Sequence, residues 1–388
     1  MPSRRAFLRT LACAAPAPIW GWSSPDLSQS APRARYWVSG ASAGENCAAC
    51  HPSTVTLDRT HAHDRSAVLC QLCAQRCTIS SGDTGRCRAR ANVGGELRSL
   101  VYGRPVAVHV DPIEKKPFYH FLPGSTAYSL GTAGCPLRCK FCQNWQISQA
   151  RPGDYDVPFT SPGAVVDAAV GRGAPVVAFT YNEPTVFVEY ALDIAAAGRR
   201  RGLRSVMVSC GFMNERPLAD LCGELDAIKI DLKGFSDDFY RTVLGAVLAF
   251  VLRTIAQVYK VGVYFEIVNL VVPTLNDTNA SMRGLVDWVM GELGPDVPLH
   301  FTRFHPDYQL LNLPPTPVAT LERARGFAMD RGLRYAYVGN VLGHSGNHTY
   351  CPQCRARVIT WQDFFVLELT LKNGRCGACG HAIAGVWS

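Results

Sequence analysis

From about residue 125 onward, short apolar runs alternate with longer stretches whose apolar residues recur near every 3.6 positions. The runs at 127–131, 176–180, 205–209, 227–230, 264–270, 299–303 and 335–338 are expected to be strands. The stretches at 186–201, 239–259, 281–293 and 320–331 are expected to be helices. Gly202, Gly294 and Gly332 stand where a helix closes in a left-handed residue. Strands alternating with helices of this length predict βαβ units around a parallel sheet. Right-handed crossovers between six or seven such strands curl the sheet into a barrel or partial barrel, with an open doubly wound sheet as the alternative.

In both architectures ligands bind at the C-terminal ends of the strands. Polar or Pro/Gly-bearing elements follow the predicted strands: the Cys135 loop, Thr180-Tyr181-Asn182-Glu183-Pro184, Cys210-Gly211-Phe212, Asp231-Leu232-Lys233, Val272-Pro273-Thr274 and Phe304-His305-Pro306. All six are predicted to share one mouth.

At 388 residues, 47% hydrophobic and 18% charged, the chain can bury a large core in one main domain with smaller attachments. The net charge of +8 is spread along the chain rather than gathered into a basic stripe, so nucleic acid is not an expected partner. No apolar run reaches the roughly 20 residues that span a bilayer, so the chain is not expected to be membrane-spanning. Ser3-Arg4-Arg5-Ala6-Phe7-Leu8, followed by a weakly apolar stretch, reads as a twin-arginine export signal within residues 1–30. That points to the periplasm. A Ser/Ala/Pro/Gly-rich linker follows at 31–65, then a Cys-rich segment at 66–124, the alternating region at 125–345 and a second Cys-bearing module at 346–388.

Sixteen cysteines change the picture further, because twelve of them fall in close pairs or triplets. Such spacing suits metal ions better than the disulfides of short secreted chains. Cys135, Cys139 and Cys142 have the spacing C-x3-C-x2-C, with Phe141 before the last thiol. Three thiolates hold three irons of a 4Fe-4S cube and leave the fourth for an outside ligand, whereas four would close a cluster for electron transfer. Cys351, Cys354, Cys376 and Cys379 form two C-x2-C pairs twenty-one residues apart and predict a zinc ribbon, with a rubredoxin-like iron as the other fit. Cys70, Cys73, Cys77 and Cys87 offer four more thiolates for zinc or an auxiliary cluster, zinc being favoured. Cys47-Ala48-Ala49-Cys50-His51 has the form of a c-type haem attachment, with His51 as axial ligand and His61 or His63 as a second.

The Cys135 triplet resembles the signature of the radical S-adenosylmethionine (SAM) superfamily, and SAM and strong reductants are cytoplasmic supplies, against the periplasmic reading of the N-terminus. From about residue 66 the chain is similar to the AmmeMemoRadiSam-system radical SAM proteins, relatives of the pyruvate formate-lyase activating enzyme. The matching stretches include Cys70 to Cys87, Asp111-Pro112-Ile113-Glu114-Lys115-Lys116-Pro117, Gly134 to Ser148, 180–184, 231–234, 300–306 and 350–354. Pro136 departs from the family pattern, which has Asn there.

The resemblance implies a partial (β/α)6 barrel whose cluster chelates SAM and cleaves it reductively to a 5′-deoxyadenosyl radical. An activating-enzyme-like oxidoreductase is the first expectation; a peptide- or small-molecule-modifying enzyme with an auxiliary cluster and a non-catalytic redox protein are its rivals. A flavodoxin or ferredoxin is the implied electron donor. The resemblance places Glu183, with its neighbour Asn182, at the SAM ammonium group. It places Lys233 at the SAM carboxylate beside Asp231, and His305 nearby.

Overall fold

The computed structural model describes residues 30–40 and 66–388. The twin-arginine run, the linker cysteines Cys47 and Cys50, and His51, His61 and His63 lie outside the described residues.

Eight strands form the central sheet: β1 (Ala107–Pro112), β2 (Thr126–Gly131), β3 (Val176–Phe179), β4 (Arg204–Ser209), β5 (Ala227–Asp231), β6 (Tyr264–Val271), β7 (Leu299–Arg303) and β8 (Ala336–Gly339). They lie side by side in sequence order. β1 pairs antiparallel with β2, and every later pairing is parallel. The crossovers carry α1 (Pro162–Gly171), α2 (Val188–Arg199), α3 (Glu215–Glu224), α4 (Leu248–Val261), α5 (Asn279–Leu293) and α6 (Val318–Arg331). Six β/α units and a last strand therefore succeed one another. Each helix packs on the next, from α1 through α6. Helices in one continuous layer cover one face only, which is the arrangement of a curled barrel and not of a doubly wound sheet with helices on both faces. The sheet does not close, since β1 and β8 are not paired with each other.

Strands buried on both faces are apolar throughout, as in Val176–Phe179. Val177, Phe179 and Met207 face the helices in the main core, whereas Val176, Ala178, Val206 and Ala227 face inward against Phe118 and Phe121. The segment between β1 and β2 thus plugs the lower end of the barrel and leaves the strands' C-terminal ends open.

A continuous helix over 239–259 is not formed. The chain turns through Asp237–Phe239 and a π-helical Tyr240–Leu244, stops at Gly245 (φ 67°), and restarts as α4 at a bend of 108°. The carbonyls of Val243 and Leu244 are freed by this break and accept from the N–H groups of Lys140 and Arg138 in the cysteine loop. Satisfying that loop's backbone is the physical reason for the interruption.

The N-terminal segment makes a three-stranded sheet (Trp37–Ser39, Val68–Cys70, Thr78–Ile79) and a hairpin (Arg90–Val93, Glu96–Ser99). Arg90, 1% exposed, forks onto both carboxylate oxygens of Glu189 on α2, anchoring the hairpin to the barrel. The C-terminal module has antiparallel strands Thr349–Tyr350, Arg357–Gln362 and Phe365–Leu369, followed by a small hairpin. It docks through Trp361, stacked on Tyr119 at 4.5 Å, and through Val386, whose N–H donates to the His120 carbonyl at 2.7 Å. Among the described residues no single helix is long and apolar enough to cross a membrane.

Candidate functional site

A cavity of about 570 Å³ opens at the C-terminal ends of the strands, and Cys135, Cys139 and Cys142 line it with Asn182, Glu183, Asp231 and Lys233. Gly134 begins the cysteine loop at φ +90°, where a Cβ would meet the Cys87 carbonyl oxygen at 2.3 Å, so only glycine fits. All three cysteines are free thiols. Burial first, then the neighbouring Cys139, Glu183 and Cys142, push the Cys135 thiol well up, and burial pushes Cys139 to about 12 against the pull of Lys233. Thiols held this way ionise only when a cation shares their space. Cys142 Sγ lies 3.2 Å from Ser148 Oγ.

Asn182 clamps the loop. Its side-chain amide donates to the Gly134 carbonyl at 2.7 Å and to Thr132 Oγ1 at 3.2 Å, while Oδ1 accepts from Thr132 N. Glu183, buried beside it, caps the turn after β3. Its Oε1 accepts from Thr185 N, Thr185 Oγ1 and Ser209 Oγ, and its Oε2 from Cys210 N alone at 2.7 Å. Oε2, with a single donor, is the less occupied of the two carboxylate oxygens.

Asp231, at the end of β5, sits between the ammonium groups of Lys229 and Lys233. Burial would raise its carboxyl, but the two lysines outweigh that and hold it at about 2. Burial opposes the Lys233 charge in turn, and Asp231, with the Cys210 and Cys139 sulfurs, holds it well above the usual lysine range. Lys233 Nζ also lies 5.7 Å from the centroid of the Phe141 ring.

Four of the six predicted rim elements reach this cavity; 272–274 and His305 do not line it. Thr316 is the cause at the far side. Its hydroxyl donates to the Val271 carbonyl at 2.6 Å and accepts from Phe304 N at 2.9 Å, so Phe304 turns into the core and His305 faces solvent. The histidines that line the cavity are His109 on β1 and His300 within β7, the latter 2.6 Å from Glu266.

Other lining groups carry no signal in spacing alone. Tyr181, at φ +73°, donates to Asp111 Oδ2 at 2.9 Å, and Lys116 reaches the same oxygen at 2.6 Å. Glu114 lies buried below them; burial pushes its carboxyl up to about 7, and its Oε2 has no hydrogen-bond partner.

A family model described as the radical SAM superfamily matches residues 129–289, which begin in β2 and run through the cysteine loop to α5. The chain belongs to this superfamily. It is 41% identical over 322 residues to "Uncharacterized protein MJ0808" of Methanocaldococcus jannaschii, covering 82% of this chain and 96% of that one. It is 22% identical over 157 residues to the pyruvate formate-lyase-activating enzyme of Clostridium pasteurianum, covering 40% and 65% respectively. Among solved structures, a domain of pyruvate-formate lyase-activating enzyme from Bacteroides vulgatus aligns at TM-score 0.38 and 15% identity, covering 42% of this chain and 98% of that one. Streptococcus suis SuiB bound to S-adenosylmethionine aligns at TM-score 0.44 and 13% identity, covering 59% and 53%. Membership of the radical SAM superfamily implies a 4Fe-4S cluster and SAM.

Two other cysteine groups accompany the cavity of this radical SAM protein. Cys351, Cys354, Cys376 and Cys379 have all four sulfurs within 4.8 Å of one another, with Cys351–Cys379 at 3.6 Å and Cys354–Cys376 at 3.7 Å. Disulfides are far shorter, at about 2.05 Å, whereas a tetrahedral ion with metal–sulfur bonds near 2.3 Å sets its sulfurs about 3.8 Å apart. This group could hold a metal ion. Backbone N–H groups of Cys379 and Ala378 draw the Cys376 thiol down to about 7. Cys70, Cys73 and Cys87 are buried and Cys77 partly so, all of them free thiols beside the cysteine loop.

Proposed function

We propose that this chain is a radical SAM enzyme of the activating-enzyme type, with its 4Fe-4S cluster on Cys135, Cys139 and Cys142. The observation that carries the reading is the shared cavity, lined by three free thiols, by Glu183 with its singly bonded Oε2 and by the largely buried Lys233. The residues fit the cofactors. Among the described residues, no two of these thiols belong with a third ligand inside the 4.8 Å span of a single ion, as cysteines on three separate irons require. Held by the three thiolates, a reduced cluster with one open iron would supply the electron for reductive cleavage of SAM into methionine and a 5′-deoxyadenosyl radical.

The chain's own residues do the positioning. Glu183 Oε2 accepts from the SAM ammonium group, and Lys233, kept charged by Asp231, meets the SAM carboxylate. Asn182 holds the cysteine loop against the turn that carries Glu183. Electrons come from a flavodoxin or ferredoxin, and the radical abstracts a hydrogen atom from a protein backbone as in activating enzymes; the family match and the similarity to an activating enzyme support this reading.

Anaerobically reconstituted protein, given SAM and dithionite, is expected to release 5′-deoxyadenosine, and a Cys139→Ala variant to release none. Absence of 5′-deoxyadenosine from wild-type protein with intact clusters, across candidate protein and small-molecule substrates, overturns the enzymatic reading.

A further inference from the structure

Two four-cysteine groups in one chain, built on different scales, allow their contents to be told apart. The C-terminal group brings its sulfurs within the span of one tetrahedral ion. Among the described residues it is the only group of three or more His, Cys, Asp or Glu ligand atoms that does so. Cys70, Cys73, Cys77 and Cys87 are therefore gathered more loosely: no three of their sulfurs lie within 4.8 Å of one another. The cavity triplet, whose spacing is that of a cluster site, is equally wide.

The four are nevertheless one group. The Cys70 N–H donates to the Cys77 carbonyl at 2.9 Å, closing the hairpin that carries the first three. Cys77 Sγ lies 3.8 Å from where a Cβ on Gly85 would stand, two residues before Cys87. They are also close enough to couple: Cys77 and Cys87 act electrostatically on Cys70, all three others act on Cys73, and Cys77 acts on Cys87. Each is also met by backbone donors: Leu72 N–H on Cys70, Gln75 N–H on Cys73, Arg86 N–H on Cys77 at 3.4 Å, and Ala89 and Arg90 N–H on Cys87. Donors directed at every sulfur suit metal-bound sulfur, and hydrogen bonds to cluster sulfurs set cluster potentials. Inert core cysteines need no such shell.

We infer that Cys70, Cys73, Cys77 and Cys87 ligate a second, four-thiolate 4Fe-4S cluster, in place of the zinc favoured by the spacing alone. Four protein thiolates leave no iron open, so this cluster carries electrons and does not bind substrate. Its place suits that work. Gln75 Nε2 donates to the Pro136 carbonyl at 3.0 Å, and Arg88 donates to the Ser148 carbonyl at 3.1 Å, so the second group abuts the loop that carries Cys135 and the serine that meets Cys142. The inference does not depend on the reaction run at the cavity.

The test is metal and sulfide analysis of the full chain after anaerobic reconstitution, alongside a Cys135→Ala/Cys139→Ala/Cys142→Ala variant and a Cys87→Ala variant. Wild type is expected to hold about eight irons and eight sulfides per chain, and each variant about four of each. The triple variant should still give the EPR signal of a reduced 4Fe-4S cluster after dithionite. About four irons in the wild type, with a second zinc or with none, overturns the inference, and this measurement requires no variant to fold. A triple variant with native circular dichroism and no sulfide overturns it as well. SAM cleavage without a second cluster would leave the proposed activity standing while removing this one.

Discussion

Asn182 and Gly134, forty-eight positions apart in sequence, are joined by a 2.7 Å hydrogen bond from the side-chain amide of one to the carbonyl of the other. That bond binds the turn after β3 to the first residue of the cysteine loop, so the candidate SAM contacts and the candidate cluster ligands move as one body. Asn182→Ala leaves the Gly134 carbonyl and the Thr132 N–H unpaired in a buried site, at a cost of about 1–3 kcal/mol each before relaxation. The expected outcome is a lower unfolding midpoint and a several-fold loss of cluster iron after reconstitution. Unchanged iron content would show that the clamp does not position the loop.

Gly134→Ala is expected to disturb both cysteine groups at once. Its added Cβ meets the Cys87 carbonyl at 2.3 Å, and its φ of +90° is strained for any side chain. Iron content should fall at both sites, whereas the C-terminal site should keep its metal. Zinc and iron counts on the same sample distinguish local damage from misfolding.

Lys233→Met removes the ammonium group proposed to meet the SAM carboxylate while retaining much of the apolar stem. Asp231 keeps Lys229 as a partner, so the fold should survive. SAM affinity is expected to weaken by about 10- to 100-fold, the worth of one charge-assisted hydrogen bond. The visible spectrum of the cluster should be unchanged, and calorimetric titration with SAM checks the affinity.

Glu114 gives the protein a specific pH dependence. Burial raises its carboxyl from 4.5 to about 7, with the Gly124 N–H opposing only in part. The folded chain therefore binds this proton more tightly than the unfolded chain. Its stabilisation is complete below about 4.5 and is lost as pH rises through about 7, by up to about 3 kcal/mol. Urea unfolding between pH 4.5 and 8 should show a smaller fall in stability for Glu114→Gln than for wild type. Identical slopes would mean that the group is not protonated in the folded state.

The C-terminal four-cysteine group is expected to bind one zinc. Chelation, or Cys354→Ser, should release the ion and lower the thermal midpoint by several degrees. The module's stacking on Tyr119 and its strand-like pairing with His120 depend on its fold. Iron in this group would be recognised by its colour and would correct the metal, though not the site.

Much of the barrel was legible because strands buried on both faces must be apolar and their helices must be amphipathic. β7 appeared at its predicted residues; β2 to β6 each differ from theirs by one residue at one end, and β8 is shifted by one. β1 was hidden for the converse reason: it is an edge strand carrying the exposed His109 and the buried, ion-paired Asp111, so it presents no apolar run. α1 is short and rich in Gly and Ala, and α3 carries Pro217 in its first turn, both of which weaken a helical pattern. The break at Gly245 had no local signal strong enough to interrupt the periodicity. The carbonyls it frees are needed by Arg138 and Lys140, about a hundred residues away.

By itself the sequence determined how many thiolates each cysteine group can offer, and which residues follow strands. Those depend on composition and local spacing. Only the tertiary structure decided which of them meet. Strand register and sheet curl brought His300 rather than His305 to the cavity. The same long-range contacts placed Glu114, whose Oε2 has no partner, in its wall, set one four-cysteine group at the span of an ion and the other wider, and laid Cys87 against Gly134. Distances between elements far apart in the chain are fixed by packing, and spacing along the chain carries no measure of them.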